Sequence, residues 1–350
     1  MTTKSILFTL TFSLLFSANL WATKADKPTD TPANEIKTEI KEFISHHLQD
    51  THDFHLTEGL SFPLPVLLWD NGLQFFSSAK FHHGEAVAEH NGMFYRLYHG
   101  KIYKTDAGGT ISYDENQHSI NQKPLDFSIT KNVSFILFES LLMMWIFKRM
   151  ANSYKQNPLP TGIGRFLEPI IVYVRDDIAR PNIGEKHYQR YMSFLLTVFF
   201  FIWIINLLGL TPLGVNVTNN IAVTFSLAIA TYLITTFTAN KNYWKHIFWM
   251  PGVPAPMKII LAPIELLGTI IKPFSLMIRL YANITAGHVV LMSIIGLMFI
   301  FKNWIGSPLS FGLAFALALL ELLVAALQAY IFTMLSALYF GSAVEEHHDH

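Results

Sequence analysis

Four side chains that carry charge stand in apolar surroundings toward the C-terminal end of the chain: Glu265, Lys272, Arg279 and Glu321. The stretch SLMIRLYANITAGH at 275–288 adds Ser275, Asn283 and His288, and ELLVAALQAYIF at 321–332 adds Gln328. A charge deep in a bilayer costs at least ~2.5 kcal/mol on insertion scales, so such groups face protein or water and usually have a partner. Imidazole and carboxyl groups take up and release protons, so His288 and Glu321 suit proton transfer. A guanidinium does not titrate, which makes Arg279 a fixed positive charge. The structural alternatives are a static His288–Glu321 pair holding two helices together, and an ordinary arginine paired with Glu265 or Glu139.

Spacing sharpens these roles. On one straight helix at ~100° per residue, Glu265, Ser275 and Asn283 each fall within about 40° of Arg279, so the four share a stripe, while His288 points the opposite way. Glu321 and Gln328, seven residues apart, share a face of the following helix. If the two helices run antiparallel with Gln328 level with Arg279, a rise of ~1.5 Å per residue puts Glu321 within about 3 Å of the height of His288. Two polar layers result, Arg/Gln near mid-membrane and His/Glu toward the outside. Gln328 is neutral and Glu321 is roughly two turns away, so Arg279 has no carboxylate at its own level. An acidic partner on another subunit explains it best. Glu139, within VSFILFESLLMMWIF, could line water or pair with a neighbour, and the structural reading is preferred.

The elements that must hold these residues are membrane helices. Of the 350 residues 51% are hydrophobic and 14% charged, with a mean hydropathy of +0.33, which points to a multi-span membrane protein. The formal net charge of +0 gives no case for nucleic-acid binding, and the absence of cysteine removes disulfides, Fe–S clusters and cysteine-ligated zinc. Judged against the roughly 20 residues a helix needs to cross the hydrocarbon, five spanning units follow: 131–148, 192–211, 220–238, 259–301 and 308–341. The last two are longer than a perpendicular crossing requires, so they must tilt or lie partly along the membrane. Lys148, Arg149, Lys155, Arg165, Arg175, Arg180, Lys186 and Arg190 crowd the connection at 148–190, whereas 212–219 carries no charge. The positive-inside rule makes 148–190 cytoplasmic, the N-terminus outside and the C-terminus inside. The fold class expected is an all-α integral membrane protein of five spanning units with a small extracytoplasmic N-terminal module.

Four segments are expected along the chain: a signal peptide at 1–22, the module at 23–128, the transmembrane domain at 129–345 and a cytoplasmic tail at 346–350. The first rests on Lys4, the apolar run Ile6–Phe16 and small residues at Ala18 and Ala22. In the module, Ile36, Ile40, Phe43, Ile44 and Leu48 recur at helical spacing, predicting an amphipathic helix over 34–50. MFYRLYHGKIYKT alternates around His99-Gly100, and DAGGTISY follows, which predicts short strands and tight turns. Nine of the 15 histidines lie in this module, but their spacings fit no strong metal-ligand pattern. No GxxxxGK[ST] phosphate loop and no duplicated halves occur, which counts against an ATP-hydrolysing chain and a two-halved transporter.

KPFSLMIRLYANITAGH at 272–288, ELLVAALQAYIFTMLSALY at 321–339 and NLLGLTP at 206–212 resemble subunit a of the F-type ATP synthase. The resemblance runs through roughly 130–345. It implies that Arg279 matches the family arginine facing the carboxylates of a rotating c-ring, with the two long C-terminal helices packed against that ring. It implies that Asn283 and Gln328 match polar positions flanking the arginine. By the same resemblance Glu265 and Ser275 belong to a cytoplasmic-side proton path, His288 and Glu321 to an outside one. Some bacterial members carry Glu and His in the opposite order at the last two positions, and Gly209 replaces an acidic residue found in some members. The partners implied are the c-ring, the subunit b peripheral stalk and the lipid of a bacterial inner membrane; no cofactor is implied and the chain catalyses nothing by itself. The module at 23–128 is additional to the minimal family pattern. The rival reading is a self-contained ion channel or secondary transporter, and a structural scaffold would leave the polar stripe unexplained.

Overall fold

The computed structural model describes residues 50–345 except 58–59, 115–118, 157–158, 160–161, 212–216, 251–252 and 301–305. The expected signal peptide, the helix over 34–50 (Asp50 apart) and the tail at 346–350 lie outside the described residues.

The segment before the membrane helices is built of strands: β1 (Asp53–Thr57), β2 (Leu60–Pro63), β3 (Pro65–Trp69), β4 (Leu73–Ser77), β5 (Val87–His90), β6 (Met93–Tyr98), β7 (Lys101–Thr105) and β8 (Leu125–Asp126). They form three antiparallel sheets, β1-β2, β4-β3-β8 and β5-β6-β7. The β5–β6 and β6–β7 connections are two residues long, Asn91-Gly92 and His99-Gly100, with positive φ at all four (50°, 74°, 47° and 73°). That is the type I′ geometry whose twist suits a tight hairpin, and it stands where the alternation around His99-Gly100 predicted one. Val66, Leu68, Phe76, Phe81, Tyr95 and Ile102 make the small core. The buried Tyr95 hydroxyl donates to Asp70, which also meets Lys104 Nζ at 2.8 Å. Burial, then the Asp70 carboxylate, push the Tyr95 hydroxyl up to about 12. His52 Nε2 lies 3.1 Å from Asp126 Oδ2. Among the described residues no three His, Asp or Glu side chains converge as metal ligands.

The remainder is helical: α1 (Lys131–Gln156), α2 (Ile163–Tyr173), α3 (Arg180–Ile183), α4 (Tyr188–Gly209), α5 (Ile221–Thr238), α6 (Lys241–Phe248), α7 (Ala255–Ile300) and α8 (Gly306–Val344). Four of them are long and apolar enough to cross a membrane: α4, α5, α7 over Pro256–Gly296, and α8. These coincide with the last four expected units. The first unit is also a helix, α1, but Glu139, Lys148, Arg149 and several hydroxyl and amide side chains dilute it, and by length and composition it is not among the four.

At ~1.5 Å per residue α7 and α8 run about 69 and 58 Å, well beyond a ~30 Å hydrocarbon layer. α7 continues through Pro263 and Pro273. α8 packs along both α7 and α4, burying Leu276, Leu280 and Ile284 of α7, Leu195 and Phe200 of α4, and Phe332 and Phe340 of its own. The Tyr191 and Phe340 rings stack 4.6 Å apart, fixing the end of α8 on the start of α4.

The charged connection at 148–190 holds a continuous helical run, α2, a π turn at Val174–Ala179, and α3. Arg175 and Arg180 both reach Asp176 at 2.8 Å, and the Arg180 guanidinium also lies 5.2 Å from the centre of the Tyr188 ring at the start of α4. Val174, Ile178, Ala179 and Ile183 are buried against it. Gly341 of α8 lies so close to this run that a Cβ there would collide with the Asn182 carbonyl oxygen.

Candidate functional site

The sequence stripe lies on α7. Arg279 is partly buried at its middle, Ser275 and Asn283 are exposed one turn to either side, and Glu265 is partly buried 14 residues earlier. Because α7 is one unbroken helix, Glu265 and Arg279 are roughly 21 Å apart along its axis. Among the described residues Arg279 forms no ion pair, with Glu265, with Glu139 or with any other carboxylate. The exposed flank beside it is apolar, with Ile271, Phe274 and Ile278 on α7 and Leu320, Leu323 and Leu327 on α8.

Gln328 is buried in α8 and accepts, through Oε1, a hydrogen bond from Asn283 Nδ2 at 3.1 Å. The expected register, with Gln328 level with Arg279, is therefore offset by one turn. In that contact Gln328 only accepts, and its Nε2 is buried without a hydrogen-bond partner among the described residues. His288 is buried and its Nδ1 lies 3.7 Å from Glu321 Oε1. The sequence geometry and the structure thus bring the same two residues together, at a separation longer than a hydrogen bond.

His288 and Glu321 open onto a cavity of about 260 Å³ between α4, α7 and α8, which is also lined by Asn206, Gly209, Asn283 and Gly287. A water occupies ~30 Å³ of liquid, so the volume suffices for several. The walls are mostly apolar, but Glu321 Oε2 and Asn206 Nδ2 are buried without a hydrogen-bond partner among the described residues, two polar groups of the kind that a bridging water satisfies. Asn206 Oδ1 accepts from Thr218 Oγ1 at 2.9 Å, which orients its amide.

Glu265 faces a second cavity, about 190 Å³, between α6, α7 and the end of α8. Its lining includes Tyr243, His246, Thr269, Lys272 and Glu345. Lys272 Nζ sits 5.7 Å from the centre of the Tyr339 ring, a cation held over an aromatic face. Ser275 and Arg279 line neither cavity. Sequence reasoning did not single out His246, Tyr243 or Glu345. They lie on a short helix and at a helix end, and only the packing of α6 beneath α7 unites them with Glu265. Asn206, three residues before the end of α4 at Gly209, also lines the first cavity.

Glu139 of α1 is fully buried, and neither carboxylate oxygen has a hydrogen-bond partner among the described residues. It lines neither cavity.

Comparison with known proteins bears on residues in both parts of the chain. The family described as ATP synthase A chain matches residues 133–341. A domain family of unknown function matches 43–127. The chain is 42% identical over 233 residues to the ATP synthase subunit a of Chloroherpeton thalassium, covering 64% of this chain and 69% of that relative. It is 41% identical over 232 residues to the subunit a of Myxococcus xanthus, covering 65% and 76%. With ATP synthase subunit a 2 of Prosthecochloris aestuarii the identity is 37% over 296 residues, covering 80% of this chain and 90% of the relative. A match of that length takes in residues of the strand-rich segment as well as the helices.

Proposed function

The chain belongs to the subunit a family of the F-type ATP synthase, a non-catalytic part of its membrane sector, and from that premise we propose that it is the proton-conducting stator of a rotary complex. In this reading α1 is the fifth span, the N-terminal segment lies outside and the C-terminus lies inside a bacterial inner membrane. The exposed flank of α7 and α8 around Arg279 meets a c-ring, and a subunit b stalk holds the chain still against rotation.

A proton enters through the cavity at His288 and Glu321 and passes to a ring carboxylate, which crosses the lipid as the neutral acid. When the ring brings a protonated carboxyl round to Arg279, the guanidinium favours its ionised form, and the proton leaves through the cavity at Glu265. Arg279 also blocks direct passage of a proton between the two cavities, since a cation repels a second positive charge.

The observation that carries this reading is the order along α7: one cavity holding Glu265 near 265–272, another holding His288 and Glu321 near 283–290, and between them an arginine with no acidic partner among the described residues. A channel complete in itself would supply Arg279 with its own counter-charge. Cysteine cross-linking from the 275–290 face, in a chain that has no cysteine of its own, distinguishes the two. Adducts with a small two-helix proteolipid are expected; adducts only between copies of this chain would favour a self-contained channel or transporter.

A further inference from the structure

The β4-β3-β8 sheet carries a second surface that the proton path does not use. Cross-strand register places Leu73, Trp69 and Leu125 in one row. Phe75 and Leu67 pair in the next, where Phe127 joins them through its N–H to Leu67 O at 2.9 Å. Alternation along a strand sends all six to the same face, while Val66, Leu68 and Phe76 turn to the core. Trp69, Leu73, Phe75, Leu125 and Phe127 are each more than half exposed, at 56%, 58%, 63%, 63% and 62%. Directly opposed strand residues have Cβ atoms ~5 Å apart, so the grid is contiguous. It contains no charged or polar side chain. Contiguous exposed apolar surface of this kind marks an interaction site on a folded domain.

The sheet is tied to the membrane helices at short range. Ile129 N–H donates to Pro65 O at 3.2 Å and Lys131 N–H, at the start of α1, to Thr51 O at 2.8 Å. Asp50 accepts from Thr130 Oγ1, from the Asn132 N–H and from Asn220 Nδ2 at 2.9, 3.1 and 3.4 Å. Asn220 is the N-cap of α5, one of the four apolar helices. The clamp therefore joins the base of the sheet to the ends of α1 and α5. Phe127 precedes Lys131 by four residues, a reach of at most ~14 Å. Trp, Phe and Leu are the side chains that settle at the boundary between headgroups and acyl chains.

We infer that the Phe75–Leu67–Phe127 and Leu73–Trp69–Leu125 grid lies on the lipid headgroup–acyl boundary of the leaflet at the N-terminal ends of α1 and α5. The sheet thereby fixes the strand-rich segment flat against the bilayer and steadies the entry of α1. This rests on the reading of α1 and α5 as spans.

The test uses single cysteines at Phe75, Trp69, Glu89 and Leu141 in the full-length chain, each carrying an environment-sensitive fluorophore, in phosphatidylcholine–phosphatidylglycerol vesicles. Nitroxide lipids labelled at headgroup depth should quench the Phe75→Cys and Trp69→Cys labels at least about twofold more than the Glu89→Cys label, with aqueous iodide doing the reverse. Iodide quenching at Phe75 equal to that at Glu89 would overturn the inference. So would protection from both quenchers, which would mean that protein covers the grid. Leu141 is an exposed position on α1, and acyl-depth nitroxide should quench its label. If it does and Phe75 behaves as solvated, the inference fails and the span stands; if it does not, the reading of α1 fails whatever Phe75 reports.

Discussion

In the proposed function the chemistry turns on Arg279, because a guanidinium is a positive charge that cannot be lost. Around it the neutral groups find each other, as Asn283 does Gln328. His288 stands nine residues further along α7 and on its opposite side, where it shares one cavity with Glu321 of α8, an imidazole beside an acid. If the two act as one relay, His288→Ala and Glu321→Ala should each slow ATP-driven proton pumping by roughly tenfold or more. The double variant should then be scarcely slower than either, a coupling of about 1–3 kcal/mol. Pumping rates in inverted vesicles measure this, and fully additive losses would separate the roles. Exchanging the pair, His288→Glu with Glu321→His, should recover more flux than either single exchange, since an acid–imidazole contact is kept. At this scale the sequence was legible wherever helical periodicity alone sets direction. The one-turn offset of Gln328 was not, because register between helices depends on side-chain packing that a single helix cannot express.

Elements impose the order in which those residues meet. α7 and α8 were legible as unbroken apolar runs, and their excess length predicted tilt without giving an angle. The run from α2 to α3 was less legible, since Pro169 and Pro181 interrupt its pattern and its charges mask a buried stripe at Val174, Ile178 and Ile183. Its packing on α8 depends on Gly341, where any side chain meets backbone rather than a movable rotamer. Gly341→Ala should therefore cost about 1–3 kcal/mol, as overpacking does. Thermal unfolding of the detergent-solubilised complex checks this: a clear drop in midpoint is expected, and an unchanged midpoint would mean that α8 and the α2–α3 run separate easily. The strand-rich segment was legible at the His99-Gly100 hairpin, where both residues take positive φ, while the matching Asn91-Gly92 hairpin emerged only in the fold. The pairing of β8 with β3, some 55 residues apart in sequence, has no local signal and appears only in the fold.

For the whole molecule, the arrangement is two cavities with carboxyl groups in their walls at different levels of one long helix, with a fixed cation between them that stands beside an exposed apolar flank. The two cavities share no lining residue, and neither includes Arg279. In the function proposed above, the chain is non-catalytic and acts when a moving carboxylate of a partner connects the two cavities. Everything therefore depends on the guanidinium. The most direct measurement is ATP synthesis driven by an imposed proton gradient in vesicles carrying the Arg279→Ala complex, with assembly verified by subunit composition. The complex should assemble fully and synthesise less than about a hundredth of the wild-type rate, in line with losing an electrostatic contribution of ~2.7 kcal/mol or more. Coupled synthesis at the wild-type rate in that assembled variant would contradict the account.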